Sequence, residues 1–552
     1  MGLGLGRTRS VGLRGVNGFV VDVEAHVTQG LPGFAISGLG DSAVKQSSDR
    51  IKAAAALIEK MPVSQRRVTV NLSPAGERKV GTGFDLGIFV AVAAAMELVR
   101  VDVVRDVVHI GEVGLDGTVR PVPGVLPLVR AAAMAGVRHV VVPVGNAGEA
   151  RLVSGVRVHP VADLIELVTR YDALGKGRHV EEVPVPLVVP PPPEPVRDLS
   201  EVVGQADAKL ALEIAAAGGH HLLLAGPPGA GKTMLAERLP GLLPALDEAE
   251  SMEVTAIHSV IGALGSGVDV RLISRPPFVA PHHGASQAAV IGGGSGRIRP
   301  GAITQAHRGV LFLDETPEFD KGVLQSLRTP LERGSVSIAR AHETVTFPAR
   351  FQLVLAANPC PCGNGWGKGL DCTCTPLMRR SYFGKLSGPL LDRVDLQVHV
   401  QPPGLSMAGA PAGESTTSVA ARVAAARCAQ GERWREVLGR SRGVNADVPG
   451  SVLRGRPWRL PTSGTATLDR ALESGALSLR GYDRTLRCAW SSQSPKLRLA
   501  YGSMCSPRLP LGSAGLLPTA GLVEEGACLN AWRGSRRLDV GHERRRHEGT
   551  LA

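Results

Sequence analysis

The run Gly226-Pro227-Pro228-Gly229-Ala230-Gly231-Lys232-Thr233 fits G-x-x-x-x-G-K-[ST] in full. Glycines let backbone N–H groups close around a triphosphate, a lysine reaches the outer phosphates, and a threonine hydroxyl can ligate Mg2+. A second group is Val310-Leu311-Phe312-Leu313-Asp314-Glu315, an apolar run ending in two acids, with Asp314 82 positions beyond Lys232. Two carboxylates at a strand end can divide the work, Asp314 holding the Mg2+ shell and Glu315 orienting or deprotonating an attacking water. ATP and Mg2+ are therefore the expected ligands, and ATP hydrolysis the expected reaction. A third group is Cys360-Pro361-Cys362 followed, after nine residues, by Cys372-Thr373-Cys374, four of the eight cysteines within fifteen residues. Four thiolates at about 2.3 Å satisfy tetrahedral Zn2+, yet C-x-C is tighter than the usual C-x2–4-C, so a zinc tetrathiolate and reduced free thiols both stand.

These residues need elements to position them. His221-Leu222-Leu223-Leu224-Ala225 reads as a buried parallel strand entering the phosphate loop, and Met234 to Leu239 as the start of a helix leaving it. One helix, Ala206 to Ala217, fits the space before that strand, and Phe351 to Ala357 is another apolar strand, ending at Asn358. Upstream, Val20 to Val27 alternates as a strand should, and Asp41 to Ile58 reads as a helix capped near Asp41. Between Gly175 and Asp198 the composition shifts to proline, a polyproline II spacer that marks a domain boundary. Residues 418–435 and 466–490 are helical in pattern, whereas 491–552 scatters Ser, Arg and Gly without a sustained period. A shifted reading frame would produce such a tail; a disordered basic tail is the alternative.

The length of 552 residues suggests three or four domains, and 43% apolar with 20% charged residues is ordinary for a soluble globular chain. The longest apolar run, Leu86 to Met96, is short for a membrane span, and the N-terminus lacks a signal-peptide core. A cytoplasmic protein without a membrane partner is expected. The net charge is +12, of which +4 sits in the last 62 residues, and aromatics are only 3%. That balance argues against a base-stacking platform and places any DNA contact at the backbone.

Several segments carry a family resemblance. Asp198-Leu199-Ser200-Glu201-Val202-Val203-Gly204-Gln205 resembles the adenine-side box of AAA+ ATPases, which assigns Val203, Gly204 and Gln205 to the nucleotide. Asn358 falls where that class places sensor 1, an amide bridging the γ-phosphate and the attacking water. Leu390-Leu391-Asp392-Arg393-Val394-Asp395 resembles the segment that gives an arginine finger to the next subunit's nucleotide, so Arg393 implies a ring; an ion pair with Asp392 or Asp395 is the other reading. Leu477 to Arg484 resembles the sensor-2 helix, with Arg480 reaching the nucleotide. The long interval before Asp314 resembles the branch with added hairpins on the ring face, which includes magnesium chelatase motors and the YifB/ComM proteins. Within it His282 and His283 lack a third ligand and are read as structural or pore-facing. Arg297 and Arg299 are candidates to touch DNA, with a solvated turn as the alternative.

The N-terminal segments Gly83 to Gly87 and Gly111 to Leu126 resemble the proteolytic domain of Lon proteases, of ribosomal-protein-S5-like fold. On that register Asp85 replaces the nucleophilic serine and Leu126 the lysine, so no peptidase is expected. Together with Asn358-Pro359-Cys360-Pro361-Cys362-Gly363 and Arg480-Gly481-Tyr482-Asp483-Arg484, these features resemble the YifB/ComM family of magnesium-chelatase-like ATPases over about residues 1 to 490. The resemblance implies an α/β chain. An S5-domain-2-like domain (1–174) and the spacer (175–198) precede a P-loop AAA+ core with inserted hairpins (199–403), a helical lid (404–490) and an atypical tail (491–552). It further implies a hexameric ATP-driven motor on branched or single-stranded DNA, acting in branch migration and recombination during natural transformation. A magnesium-chelatase motor is a second reading, opposed by the Lon-like domain and the four cysteines. A nucleotide-binding scaffold inactivated by a disrupted lid, with Arg480 poorly held, is a third.

Overall fold

The computed structural model describes residues 4–178, 197–264, 270–294, 298–340, 343–367, 369–386, 388–402 and 413–492. They fall into two compact units, each assembled from discontinuous segments.

The first unit comprises Met1–Pro195, Ala245–Leu311 and Gly322–Phe351. Alternating side chains make Leu5–Arg14 and Asn17–Thr28 an antiparallel pair, turning at Gly15 with φ 66°. They sit inside a seven-stranded sheet whose order is Gly33–Ser37, Arg67–Ser73, Asn17–Thr28, Leu5–Arg14, Val107–His109, His139–Pro143 and Arg157–Val161. The expected strand and helix are both present, the helix as Ser42–Ala55, with the Asp41 carboxylate accepting from the Val44 N–H at 2.9 Å. Helix Asp85–Ala95 has no polar face and all eleven of its residues are buried. Gly6 permits its approach to the first strand, because a Cβ there would stand 1.9 Å from the Ala91 carbonyl oxygen.

At the N-terminus of that helix Asp85 is fully buried. It accepts from Arg50 Nε at 2.7 Å and Nη2 at 2.9 Å, from the Ser47 hydroxyl, and from the Val113 N–H at 3.3 Å. Burial pushes its carboxyl above the usual range while Arg50 and Ser47 pull it back. Leu126 is also buried, in helix Val125–Met134. The inserted helix Glu248–Val260 places Met252 and Ala256 against the same core. Further insertions supply the antiparallel hairpin of Ser335–Arg340 and Glu343–Pro348 and the short pair Gly292–Gly293 with Arg299–Pro300.

The second unit comprises Val196–Pro244, Phe312–Lys321 and Gln352–Ala552. Apolar strand Leu222–Ala225 runs parallel between Gln352–Ala357 and Leu396–His399, with Phe312 and Leu313, the end of the next strand, beside Gln352–Ala357. Helix Ala206–Gly218 precedes it and helix Lys232–Ala236 follows it. The C-terminal helices Thr416–Leu438, Thr462–Glu473 and Leu479–Ser492 close around fully buried Trp434, with Trp458 and Trp490 packed on its ring. The helical pattern over 466–490 is thus two helices, because Gly475 at φ 73° ends the first. Most of the proline-rich spacer, and the tail beyond Ser492, lie outside the described residues. Among the described residues, no helix is long and apolar enough to cross a membrane.

Candidate active site

The phosphate loop leaves strand Leu222–Ala225 through Gly226, whose N–H bonds the Ala357 carbonyl at 3.1 Å. A Cβ at Gly226 would lie 2.2 Å from the Val400 carbonyl oxygen, so only glycine passes there undisturbed. Gly229 and Gly231 take φ of 74° and 91°, completing a strand–loop–helix turn. Lys232 folds back over this turn, its Nζ donating to the carbonyls of Gly226 at 2.7 Å and Pro227 at 2.9 Å and to Asn358 Oδ1 at 3.0 Å. Burial draws the Lys232 ammonium down while Asp314 and Glu315 hold it up. The Thr233 hydroxyl donates to Asp314 Oδ2 at 2.6 Å. The adjacent Lys232 and Thr233 therefore each hold a residue distant in sequence, Asn358 and Asp314, at the phosphate loop.

Asp314 uses its other oxygen to accept from the Glu315 N–H at 2.8 Å. That contact accompanies a left-handed backbone at Glu315, φ 47° and ψ 42°, which costs a non-glycine residue about 1–3 kcal/mol. The next residue secures the bend, the Thr316 hydroxyl donating to the Leu313 and Ala356 carbonyls at 2.7 and 3.0 Å. Glu315 is left exposed at the end of the strand. One ammonium, one hydroxyl, two carboxylates and one amide at one end of a sheet make a donor set for a polyphosphate carrying a hard divalent cation. The paired Thr233 and Asp314 oxygens suit Mg2+.

On the base side Val203 is 45% exposed and Gly204 has φ 65°. Gln205, at φ 55°, donates from Nε2 to the Ala230 carbonyl at 3.3 Å and the Gln401 carbonyl at 2.6 Å, tying this segment to the phosphate loop. Arg393 is half-buried on the turn after Gly388–Leu391, donating to the Pro389 carbonyl. Arg480 is exposed in the first turn of Leu479–Ser492. One turn on, Arg484 is buried and donates to the Leu391 and Val394 carbonyls, holding the turn that carries Arg393. Sequence reading passed over Arg484; the two arginines are four apart on one helix, and only the phase of its apolar face separates them.

Arg299 is exposed in its short strand, and Arg297 lies outside the described residues. The His282 and His283 rings stand 4.1 Å apart, with His282 Nδ1 accepting from the Gly284 N–H. Among the described residues, the only group of three or more such side chains placed to share a metal is Cys360, Cys362, Cys372 and Cys374. A Ser–His–Asp line also forms, Ser491 Oγ lying 2.6 Å from His220 Nε2 and Asp395 Oδ2 3.2 Å from His220 Nδ1. Ser491 and His220 are both sealed from solvent, so this line joins the last helix to the strand entrance and offers no nucleophile to a substrate.

A parallel sheet with this phosphate loop, followed by a helical C-terminal region, defines an α/β core of the P-loop AAA+ kind. The family described as "Magnesium chelatase, subunit ChlI" matches residues 198–407, "Subunit ChlI of Mg-chelatase" residues 23–146, and "Magnesium chelatase, subunit ChlI C-terminal" residues 413–492. An uncharacterized protein of Mycobacterium tuberculosis is 48% identical over 491 residues, 89% of this chain and 94% of that one. The uncharacterized protein YifB of Escherichia coli is 38% identical over 496 residues, 89% and 92% of the two chains. The competence protein ComM of Haemophilus influenzae is 37% identical over 475 residues, 86% and 90%. The chain belongs to the YifB/ComM family of magnesium-chelatase-like proteins.

Proposed function

We propose that this chain is an ATP-hydrolysing motor acting on branched or single-stranded DNA. The observation that carries the ATPase reading is the convergence of Lys232, Thr233, Asp314 and Asn358 at one end of the sheet. The loop N–H groups and Lys232 bind the phosphates, and Val203 covers the base. Thr233 and Asp314 hold Mg2+, which when bound neutralises charge on the outer phosphates. Glu315 accepts the proton of the attacking water and Asn358 orients that water. Arg393 reaches the nucleotide of the next subunit in a ring, expected to be hexameric, and Arg480 reaches its own.

The DNA reading rests on the kinship with a competence protein together with the family resemblance. We further propose that residues 1–174 form an S5-domain-2-like scaffold that does not cleave peptides, since Asp85 and Leu126, which the resemblance sets in place of a Lon-type dyad, are no serine and lysine and are both buried. The setting is the cytoplasm. A chelatase motor is favoured by the magnesium-chelatase family matches and by two magnesium-chelatase subunits, 30% identical but over only 30% and 29% of this chain. Turnover of the purified chain with and without a four-way DNA junction tests the proposal: stimulation supports it, and turnover indifferent to DNA refutes the DNA part.

A further inference from the structure

The four cysteines converge more closely than free thiols need. Cys360 Sγ lies 3.3 Å from Cys362 Sγ and 3.7 Å from Cys372 Sγ, and Cys362 and Cys372 are also 3.7 Å apart. All four sulfurs, Cys374 included, lie within 4.8 Å of one another. A Zn–S bond of about 2.3 Å makes the edge of a tetrahedral four-sulfur site about 3.8 Å, close to these separations. A disulfide needs about 2.05 Å, so none of these pairs is bonded. Cys360 and Cys374 are buried and the other two half-buried, which gives a closed site of the structural kind. Cys360 Sγ also accepts the Gly365 N–H at 3.2 Å, the outer hydrogen bond a metal thiolate ordinarily has.

The segment is built into the nucleotide site. Cys360 is two residues beyond Asn358, which holds Lys232. Gly363, at φ 80°, packs so tightly on the phosphate loop that a Cβ there would come 2.6 Å from Pro228 Cγ. Directly after Cys374, helix Pro376–Gly384 carries buried Tyr382, whose phenol is pushed up by burial and then by the carboxylates of Glu318 and Glu315. The cysteine segment thus borders the loop that would take the phosphates.

We infer that Cys360, Cys362, Cys372 and Cys374 bind one zinc ion, and that this ion holds the segment against Pro228 so that the phosphate loop and Asn358 keep their registry. Four thiols give up four protons as Zn2+ takes four thiolates, leaving a site of net charge −2. The effect on nucleotide rests on the ATP-binding reading above, whereas the metal site does not.

The test uses the full chain purified without chelator. Elemental analysis should find about one zinc per chain, as a closed four-thiolate site requires. The wild-type chain reloaded with Co2+ should show the sulfur-to-cobalt charge-transfer and tetrahedral bands. The Cys372→Ser/Cys374→Ser variant should lose both. Stripping wild-type zinc with a strong chelator should weaken binding of a fluorescent ATP analogue about tenfold, with recovery on adding zinc. A chain lacking bound metal, one holding iron instead, or variants that retain full zinc would overturn the site. Unchanged nucleotide affinity in metal-free chain that keeps its circular dichroism would overturn the coupling. A zinc-loaded chain that binds no nucleotide would refute the ATP reading, and the coupling with it, and leave the metal site standing.

Discussion

Replacing Arg50 by Met isolates a fully enclosed charge in the N-terminal unit, the Asp85 carboxylate. Asp85 has no exposed surface, and Arg50 gives it two bonds, at 2.7 and 2.9 Å, while its own side chain is 18% exposed. Removing one partner of a buried pair costs about 3–5 kcal/mol. The Ser47 hydroxyl and the Val113 N–H remain as donors, which puts the loss at the lower end, about 3 kcal/mol, or roughly 6–12 °C in melting temperature. The loss depends on pH. Burial already raises the Asp85 carboxyl, and without Arg50 it rises further. The folded state then keeps a proton that the unfolded chain, with a carboxyl near about 3.9, has released, so stability falls as pH rises. Calorimetry of parent and Arg50→Met should therefore show a wider gap at pH 7.5 than at pH 5, and Asp85→Asn added to the variant should recover part of it. A gap under about 1 kcal/mol at pH 7.5, or one equal at both pH values, would refute the reasoning.

Four further substitutions have expected outcomes elsewhere in the chain. Asn358→Ala should still bind ATP but turn it over about 10²–10³-fold more slowly, as loss of one aligned polar group does, and Lys232→Ala should lose turnover altogether; steady-state ATPase assays with nucleotide-binding titrations check both. Gly226→Ala forces a Cβ to within 2.2 Å of the Val400 carbonyl and should destabilise the chain by about 1–3 kcal/mol while weakening nucleotide binding, read by denaturant titration and a fluorescent analogue. Glu253 is held down to about 2, first by the His307 hydrogen bond and, against its burial, by Arg308. Its contribution is present above the unfolded value of about 4.3 and disappears as pH falls toward 2. Glu253 is 44% exposed, so Glu253→Gln should lower stability by less than about 1 kcal/mol at pH 7, a gap that closes in acid; urea titrations across pH check it.

The phosphate loop and the acids after Leu313 could be read in the sequence because each is a contiguous run whose context, strand before and helix after, is also local. Asp41 as a cap and the helix before Leu222 were readable for the same reason. What binds these pieces together is not local. The Lys232–Asn358 bond spans 126 positions and Thr233–Asp314 spans 81, so only the parallel sheet order brings them to one edge. Asp85 was recognised by what it replaces, whereas its partners Ser47 and Arg50 sit 38 and 35 positions away on another helix. Arg484 was overshadowed by Arg480 because a motif names residue types and not which of them faces inward. The cysteine spacing leaves zinc and free thiols both open, since convergence of four sulfurs depends on the turns at Gly363 and Gly369, both left-handed, which a count of intervening residues does not reveal.

The most direct test of the central claim is the ATPase rate of the purified full chain with and without four-way-junction DNA, taken with its mass in solution in the presence of nucleotide. Mg2+-dependent turnover is expected in a ring-sized species, stimulated by the junction and abolished by Lys232→Ala. A chain that binds nucleotide but stays monomeric and turns nothing over, with or without DNA, would contradict it.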